Sequence, residues 1–239
     1  MPTQIANIQG FLMEIIGTIL KILMWVFLGL LAWLLFVAVM VRIVRHFYQF
    51  PVPAFVARFI DNPFRRRIQP PAKIVEWMGL RQGMLLLEIG PGPGTFTFEA
   101  ASAVGEQGCV YAIDIQEPIV TALNKKIEQR GVANIILEQA SAYQLPYPDG
   151  FFDRVYMITV LGEIPEKQRA LLEIRRVLKA NGLLVIGEFL IDPDYPRKST
   201  VTAWCREAGF KLAETYGNVL HYLLLFSKNT IQDEFHPVN

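Results

Sequence analysis

The pattern of apolar positions divides the chain into an N-terminal apolar segment and a longer region in which short apolar runs alternate with amphipathic segments. Residues 22–41 carry no charged side chain. At about 1.5 Å per residue, a helix of that length spans roughly 30 Å, the hydrocarbon thickness of a bilayer. The run is longer than the apolar core of a secretory signal, and Arg42 and Arg45 follow it directly, so a retained membrane helix is favoured over a cleaved signal.

This apolar run is the centre of a predicted helix over residues 11–48. The helix is predicted to end at Phe-Pro-Val-Pro, residues 50–53, because proline lacks a backbone donor and restricts the residue before it. The predicted regions are a membrane helix at residues 1–49, a basic and aromatic connecting segment at residues 50–83 (the collar) with a short helix over 72–78, and a globular domain at residues 84–239.

From residue 84 onwards, apolar runs of strand length alternate with segments of helical period. The predicted strands are residues 84–89, 109–114, 134–138, 152–159, 183–189, 210–215 and 221–227, and the predicted helices are residues 95–104, 117–130, 166–180 and 199–208. Gly131, Asn181-Gly182 and Gly209 are expected at helix ends in the left-handed conformation. The alternation predicts an α/β fold with a doubly wound, mostly parallel seven-stranded sheet. The last two strands have no helix between them and should pair antiparallel.

The most informative chemical motif is Glu-Ile-Gly-Pro-Gly-Pro-Gly, residues 88–94, between the first predicted strand and helix. Its glycines allow a tight turn and a close approach of the backbone to a ligand, as in nucleotide-binding crossovers. Glu88 places a carboxylate beside that turn, where it would repel a pyrophosphate and accept hydrogen bonds from an amino group. Asp114 ends the next predicted strand, where an acid can accept both hydroxyls of a ribose.

Two later segments follow the glycine motif, and their order along the chain is informative. A Phe-Asp strand covers residues 152–158, and an Arg-Val-Leu-Lys-Ala-Asn-Gly turn precedes the strand at residues 183–188. With the glycine motif and Asp114, they make the chain resemble the class I S-adenosylmethionine-dependent methyltransferases over residues 69–228. The resemblance implies a Rossmann-like fold and S-adenosylmethionine as the cofactor.

The resemblance also implies a cofactor site. Its residues are Glu88, Gly90, Pro91, Gly92 and Gly94 at the amino-acid end, Asp114 at the ribose, Ile115, Ser141 and Ala142 at the adenine, and Thr159 near the methyl group. Ser141 stands where many members of the family have aspartate. A hydroxyl can still bond an exocyclic amine, so adenine contact and a plain loop role both stay open for Ser141.

Methyl transfer depends largely on the alignment of acceptor and methyl donor, and a base is needed only if the acceptor arrives protonated. Glu163 follows the fourth predicted strand and is the candidate base, with a carboxylate at a helix N-terminus as the alternative interpretation. Glu188, Asp192 and Tyr195 follow the fifth strand and are candidates for the acceptor pocket. The two cysteines and three histidines lack metal-ligand spacing, and no metal is expected.

Charge is unevenly distributed along the chain. Residues 1–83 hold nine Lys or Arg and three Asp or Glu, whereas residues 84–239 hold 14 and 19. The excess of arginines just after the apolar run predicts a single-pass membrane protein with its C-terminal domain in the cytoplasm. Arg65, Arg66 and Arg67 are expected to contact anionic headgroups; the alternative is a linker whose aromatic residues cover the sheet's helices. No nucleic-acid partner is expected.

These features favour a membrane-tethered methyltransferase whose acceptor is a lipid amine, a quinone precursor or a membrane protein. An NAD-type oxidoreductase is disfavoured by Glu88 and by Thr95, which stands where the dinucleotide motif needs its last glycine. A non-catalytic membrane adaptor that binds the cofactor is the other alternative, although the cofactor motifs are intact.

Overall fold

The structure is a computed structural model that describes residues 2–48, 53 and 61–229. The chain forms two compact units, Met1–Tyr48 and Gln49–Asn239. The first unit is one helix, α1 (Pro2–Phe47), which begins well before the predicted start, with Pro2 in its first turn, where proline is tolerated. Its segment Met13–Arg45 is long and apolar enough to cross a membrane. The apolar side chains of that segment are exposed.

The described part of the collar contains two short helices, α2 (Pro63–Ile68) and α3 (Pro71–Trp77). Asn62 caps α2, since its side chain accepts a hydrogen bond from the Arg65 backbone N–H at 3.0 Å, and Pro63 occupies the first turn. Helix α3 confirms the predicted helix to within one residue at each end. Residues 54–60, with two of the phenylalanines that the sequence assigned to the collar, lie outside the described residues.

The second unit confirms the predicted alternation of strands and helices. Its elements are β1 (Leu85–Ile89), α4 (Thr97–Val104), β2 (Cys109–Asp114), α5 (Glu117–Arg130), β3 (Ile135–Gln139), β4 (Phe152–Ile158), a 3-10 turn (Leu161–Glu163), α6 (Lys167–Val177), β5 (Leu178–Phe189), α7 (Lys198–Glu207), β6 (Phe210–Gly217) and β7 (His221–Lys228). The sheet order is β3-β2-β1-β4-β5-β7-β6. Strands β1 to β5 pair in parallel, and β7 pairs antiparallel with both β5 and β6, as predicted.

Helix α6 and strand β5 meet differently from the prediction. Helix α6 ends at Val177, and the chain enters β5 at Leu178, which is fully buried and pairs with Phe152. The left-handed helix end expected at Asn181-Gly182 is therefore wrong. Gly182 serves the sheet instead, because a Cβ there would lie 2.8 Å from Leu178 Cγ and 3.1 Å from the Asp153 carbonyl oxygen. The expected left-handed glycines at Gly131 (φ 61°) and Gly209 (φ 80°) are confirmed.

The sheet is covered on both faces. Neighbouring residues of β1 point to opposite sides, as the two-residue period of a strand requires. Leu86 packs with α3, α4 and α5, in a cluster that includes Ile74, Ala100 and Leu123. Leu87 packs with α6 and α7, in a second cluster that includes Leu171 and Val201. With both faces occupied, the carboxyl edge of the parallel strands is the place for a ligand.

Candidate active site

A cleft opens at the carboxyl ends of β1, β2 and β4, with a volume of about 1130 Å³ including its open mouth. This size suits a small-molecule ligand. The site residues predicted from the sequence that line it are Glu88, Gly90, Pro91, Gly92, Asp114, Ile115, Ser141, Ala142, Thr159, Glu163 and Asp192. The fold therefore brings together side chains that lie as far apart in the sequence as Glu88 and Glu163.

The glycine turn after β1 has the backbone that the motif predicts. Gly90 and Gly92 adopt φ of 70° and 53°, in the left-handed region that side chains disfavour. A Cβ on Gly90 would lie 2.6 Å from Val160 Cγ2, so glycine lets the turn pack against the end of β4. A Cβ on Gly92 would meet open space. Gly92 thus presents bare backbone to the cleft.

Gly94 has a different role from the predicted one. Its φ is 83°, and a Cβ there would lie 2.6 Å from Leu123 Cδ1 and 2.9 Å from Phe98 Cε2. Gly94 therefore allows α4 and α5 to pack closely behind the turn, and it is not among the residues that line the cleft. The glycine that completes the motif organises the turn without facing the ligand space.

Glu88 lines the cleft with a buried carboxyl group, at the position that the sequence predicts. It is almost fully buried, and its Oε2 atom has no hydrogen-bond partner in the described structure. Burial raises the pKa of Glu88 to about 7, while the nearby Thr97 and Tyr156 hydroxyls lower it, although neither hydroxyl reaches hydrogen-bond geometry. A buried carboxylate without a partner at a cleft wall fits a ligand ammonium. The amino-acid end of S-adenosylmethionine provides that donor.

The residues after β2 and β3 form the far wall. Asp114 is nearly buried, its Oδ1 accepts the Gln116 backbone N–H at 2.9 Å, and burial raises its pKa. Ile115 is apolar and 55% exposed beside it, which suits a flat aromatic ring. Ser141 lines the cleft with its Oγ accepting the Tyr143 N–H at 3.3 Å. The wall thus offers a carboxylate, an apolar surface and a hydroxyl in the order that ribose and adenine require.

Thr159 is the most strained residue of the cleft. With φ of 58° it is the one non-glycine residue in the left-handed region within the described ranges, and its branched Cβ makes that conformation costly. Its Oγ1 donates to the Ile158 carbonyl at 2.7 Å and accepts from Arg65 Nη2 at 3.1 Å. Thr159 directly follows β4 and is held by these contacts at the side of the cleft opposite Asp114.

Arg65 corrects the prediction for the collar. Only 7% of it is exposed, and its side chain lines the cleft. It donates from Nε to Gln69 Oε1 at 3.3 Å, and its guanidinium lies 5.7 Å from the centre of the Phe189 ring. The predicted headgroup contact is therefore wrong for Arg65. Arg66 and Arg67 are exposed, and Arg66 pairs with Asp61 at 2.6 Å.

Carboxylates surround the same end of the cleft. Glu163 and Asp192 line it, while Glu188 is fully buried behind the lining. Burial raises the pKa of Glu188 well above its usual range, neighbouring carboxylates raise it further, and Arg65 opposes them. Tyr195 also lies outside the lining, where its hydroxyl donates to the Val219 carbonyl. Of the three acceptor-pocket candidates at the end of β5 and in the loop after it, only Asp192 lines the cleft.

The loop after β5 is fixed against the 3-10 turn that carries Glu163. A Cβ on Gly162 would lie 2.6 Å from the Asp194 carbonyl oxygen, so glycine permits this close contact. The contact brings Glu163 and Asp192 to one wall. The described residues contain no group of three or more His, Cys, Asp or Glu side chains placed to hold a metal ion.

Comparison with known proteins identifies the family of this chain. Residues 80–238 match the family model described as a methyltransferase domain. Over 123 residues the chain is 37% identical to the ubiquinone/menaquinone biosynthesis C-methyltransferase UbiE of Yersinia pestis bv. Antiqua (strain Antiqua). The matched region covers 50% of this chain and 49% of that protein. The UbiE of Yersinia pseudotuberculosis serotype O:1b (strain IP 31758) gives the same values. The chain thus spans about half the length of the curated relatives it matches.

Solved structures show the same fold. A SAM-dependent methyltransferase from Aquifex aeolicus superposes with a TM-score of 0.69 at 24% identity, covering 74% of this chain and 98% of that one. The PH0226 protein of Pyrococcus horikoshii OT3 gives a TM-score of 0.61 at 18% identity, with 71% and 93% coverage. At these identities the likeness concerns the fold alone.

Proposed function

The chain belongs to the methyltransferase family and is an S-adenosylmethionine-dependent methyltransferase, and from this premise we propose that it methylates a quinone precursor held in a membrane. The observation that carries the proposal is the 37% identity to quinone-biosynthesis C-methyltransferases across the half of the chain that matches. The apolar helix α1 supports a membrane location for the acceptor. Lipid amines and membrane proteins are the competing acceptors.

The cofactor roles that we propose follow from the cleft. Glu88 accepts the ammonium, Gly92 lets the amino-acid end approach the backbone, and Asp114 accepts the ribose hydroxyls. Ile115 packs on the adenine, and Ser141 and Ala142 also contact it. When bound, S-adenosylmethionine supplies a methyl group already activated by its sulfonium. The chain's own residues must therefore orient the acceptor beside Thr159 and exclude water from that end.

Glu163 is the base that we propose for an acceptor with an acidic hydroxyl. It lines the cleft from the 3-10 turn Leu161–Glu163. Helix α6 begins at Lys167 with Glu166 as its N-cap, so Glu163 lies before the first turn of that helix. This position weakens the alternative of a helix N-terminal carboxylate. A proton taken from the acceptor hydroxyl would leave an oxyanion in the cleft, and that oxyanion activates the aromatic ring toward methylation.

Helix α1 acts as a membrane tether in this proposal. A domain confined to the bilayer surface meets a membrane-dissolved acceptor at a higher effective concentration than a free one. The arginines that follow the apolar run favour a single crossing with the catalytic domain in the cytoplasm.

The acceptor class is tested with the full chain in its own membranes and S-adenosylmethionine carrying a labelled methyl group. We expect label in the quinone fraction of the membrane extract, and we expect Glu163→Gln to lower its rate by roughly 100-fold, the usual contribution of a general base. Extracts are separated into quinone, polar-lipid and protein fractions. Label confined to the lipid or protein fraction would refute the quinone assignment, and no label in any fraction would favour the adaptor alternative.

We also propose that Arg66 and Arg67 contact anionic headgroups. Replacing both with glutamine should weaken this attraction by up to about 2 kcal/mol, and by less if Asp61 keeps Arg66 paired. We expect lower activity on acceptor in anionic vesicles and unchanged activity in neutral ones, with raised salt reproducing the loss in the parent protein. The matched control removes the exposed charges of Lys125 and Arg206 in the same way. Equal losses in both double variants would argue against a collar contact.

A further inference from the structure

Arg65 is a buried cation in the cleft that none of the cofactor roles uses. It comes from α2, before the segment 80–238 that matches the family model. Burying a guanidinium is costly unless it meets partners, and the hydrogen bonds of Arg65 run to the neutral oxygens of Gln69 and Thr159. Burial accordingly lowers the pKa of Arg65, and Asp192, Asp61 and Glu188 offset that effect. The position of this charge calls for a functional explanation.

The partner of Arg65 is the strained residue of the cleft. Thr159 holds φ of 58° while its Oγ1 accepts from Arg65 Nη2. Such conformations persist where the surrounding structure imposes them, and they concentrate at binding and catalytic sites. Phe189 lies 5.7 Å from the guanidinium carbon. Arg65 and Thr159 are thus fixed together at the end of β4, across the cleft from Asp114.

We propose that Arg65 and Thr159 form a subsite that binds an anionic oxygen of the methyl acceptor, either a phenolate or a carboxylate. The subsite rests on the proposed function, since it names the group by which the acceptor is held. A guanidinium has five N–H donors in a planar fork that suits an anionic oxygen. The Nε and Nη2 atoms donate to Gln69 and Thr159, and the side chain lines the cleft, so the fork has further donors for a ligand.

The charges around Arg65 support an acceptor hydroxyl over an acceptor amine. Glu163 and Asp192 line the same end of the cleft. An ammonium would be attracted by these carboxylates but repelled by Arg65 at close range. A hydroxyl acceptor suits both the carboxylates and the guanidinium, because a carboxylate can take its proton while the guanidinium binds the resulting oxyanion.

Three matched probes test the subsite with the full chain in detergent and S-adenosylhomocysteine present. They are 4-nitrophenol, 4-nitrobenzoate and 4-nitroanisole, which present a phenolate, a carboxylate and an uncharged ether on similar rings. We expect at least one anion to bind about tenfold more tightly than 4-nitroanisole, as for a hydrogen bond between charged groups. Arg65→Gln should abolish this preference. Arg65→Lys should retain part of it, since the charge remains and the fork is lost.

The ionisation of bound 4-nitrophenol gives a second measurement that a purely structural arginine would not change. Its ionised form absorbs visible light, and a neighbouring guanidinium favours that form. In the parent protein, we therefore expect the bound probe to ionise at a lower pH than the free probe. The exposed control Arg206→Gln should behave like the parent, whereas Arg65→Gln should lose this shift. S-adenosylhomocysteine affinity should stay within about twofold in all variants, which shows that they are folded.

Equal binding of all three probes to the parent protein would overturn the subsite, and this comparison needs no variant. An anion preference that survives Arg65→Gln would overturn it as well. Because probe binding requires no methyl transfer, the result is independent of the acceptor assay. An intact anion preference without label in the quinone fraction would refute the quinone assignment and leave the subsite standing, and the tighter of the two anions would identify the acceptor's acidic group.

Discussion

Gly92→Val should abolish cofactor binding, with S-adenosylhomocysteine affinity at least 100-fold lower by calorimetry. Gly92 has φ of 53° and faces open space in the cleft. A branched side chain there would occupy the volume that the ligand needs, and it would also strain the turn. Steric exclusion of a ligand from its backbone contacts removes those contacts together, so the expected loss is large.

Strain alone must be separated from ligand exclusion, and Gly131 provides the matched control. It also has positive φ, at 61°, and a Cβ there would meet open space, but it caps α5 away from the cleft. We expect Gly131→Val to lower the melting temperature about as much as Gly92→Val while leaving S-adenosylhomocysteine affinity unchanged. Equal losses of affinity in the two variants would mean that backbone strain, not occupation of the cleft, controls binding.

The parts of the site that the sequence predicts are those that depend on local chain geometry. Residues 88–94 specify a glycine turn after a buried strand, and an acid that ends the next strand must reach the same edge of a parallel sheet. Glu88 and Asp114 therefore appear in the cleft as predicted. Gly94 differs because the ligand side and the helix side of one turn look alike in sequence, and only the packing of Leu123 and Phe98 distinguishes them.

Arg65 shows what the sequence could not specify. Three consecutive arginines next to an apolar run look equivalent, and only the helix that begins at the Asn62 cap assigns them to different faces. Asn62-Pro63 is a recognisable helix start, so the local sequence indicates that Arg65 lies on a different helix face from Arg66 and Arg67. No local pattern indicates the contact between Arg65 and Thr159, because it joins residues from distant parts of the chain.

The candidates after β5 illustrate the same limit. Glu188 lies near the end of β5, and Asp192 and Tyr195 follow that strand, where sequence alone predicts access to the cleft. The loop folds back instead, with the Asp192 N–H donating to the Phe189 carbonyl at 2.9 Å and the Asp194 N–H donating to Asp192 Oδ1 at 3.1 Å. This turn directs only Asp192 to the lining. The directions of the loop side chains depend on the geometry of this turn. The two prolines near the turn do not define that geometry.

Glu88→Gln should weaken cofactor binding and stabilise the ligand-free protein, and both effects should depend on pH. Burial raises the pKa of Glu88 from its ordinary 4.5 to about 7 in the folded state. The folded protein therefore binds a proton more tightly than the unfolded chain does, and stability falls as pH rises from about 4.5 to 7. The full destabilisation, on the order of 3 kcal/mol, is present above pH 7.

Removal of this buried charge should raise the melting temperature of the ligand-free protein at pH 8, and the difference from the parent should close as pH falls toward 5.

Cofactor binding should show the opposite dependence, because only the ionised carboxylate pairs with an ammonium. We expect S-adenosylhomocysteine affinity of the parent to increase from pH 6 to 7.5, and that of Glu88→Gln to be at least tenfold lower and nearly constant with pH. The exposed Glu106→Gln serves as the control and should match the parent in both measurements. A pH-independent stability difference between Glu88→Gln and the parent would contradict the raised pKa. Unchanged affinity in Glu88→Gln would instead show that Glu88 does not pair with the cofactor's ammonium. The two measurements therefore test the charge of this carboxylate and its function in binding separately.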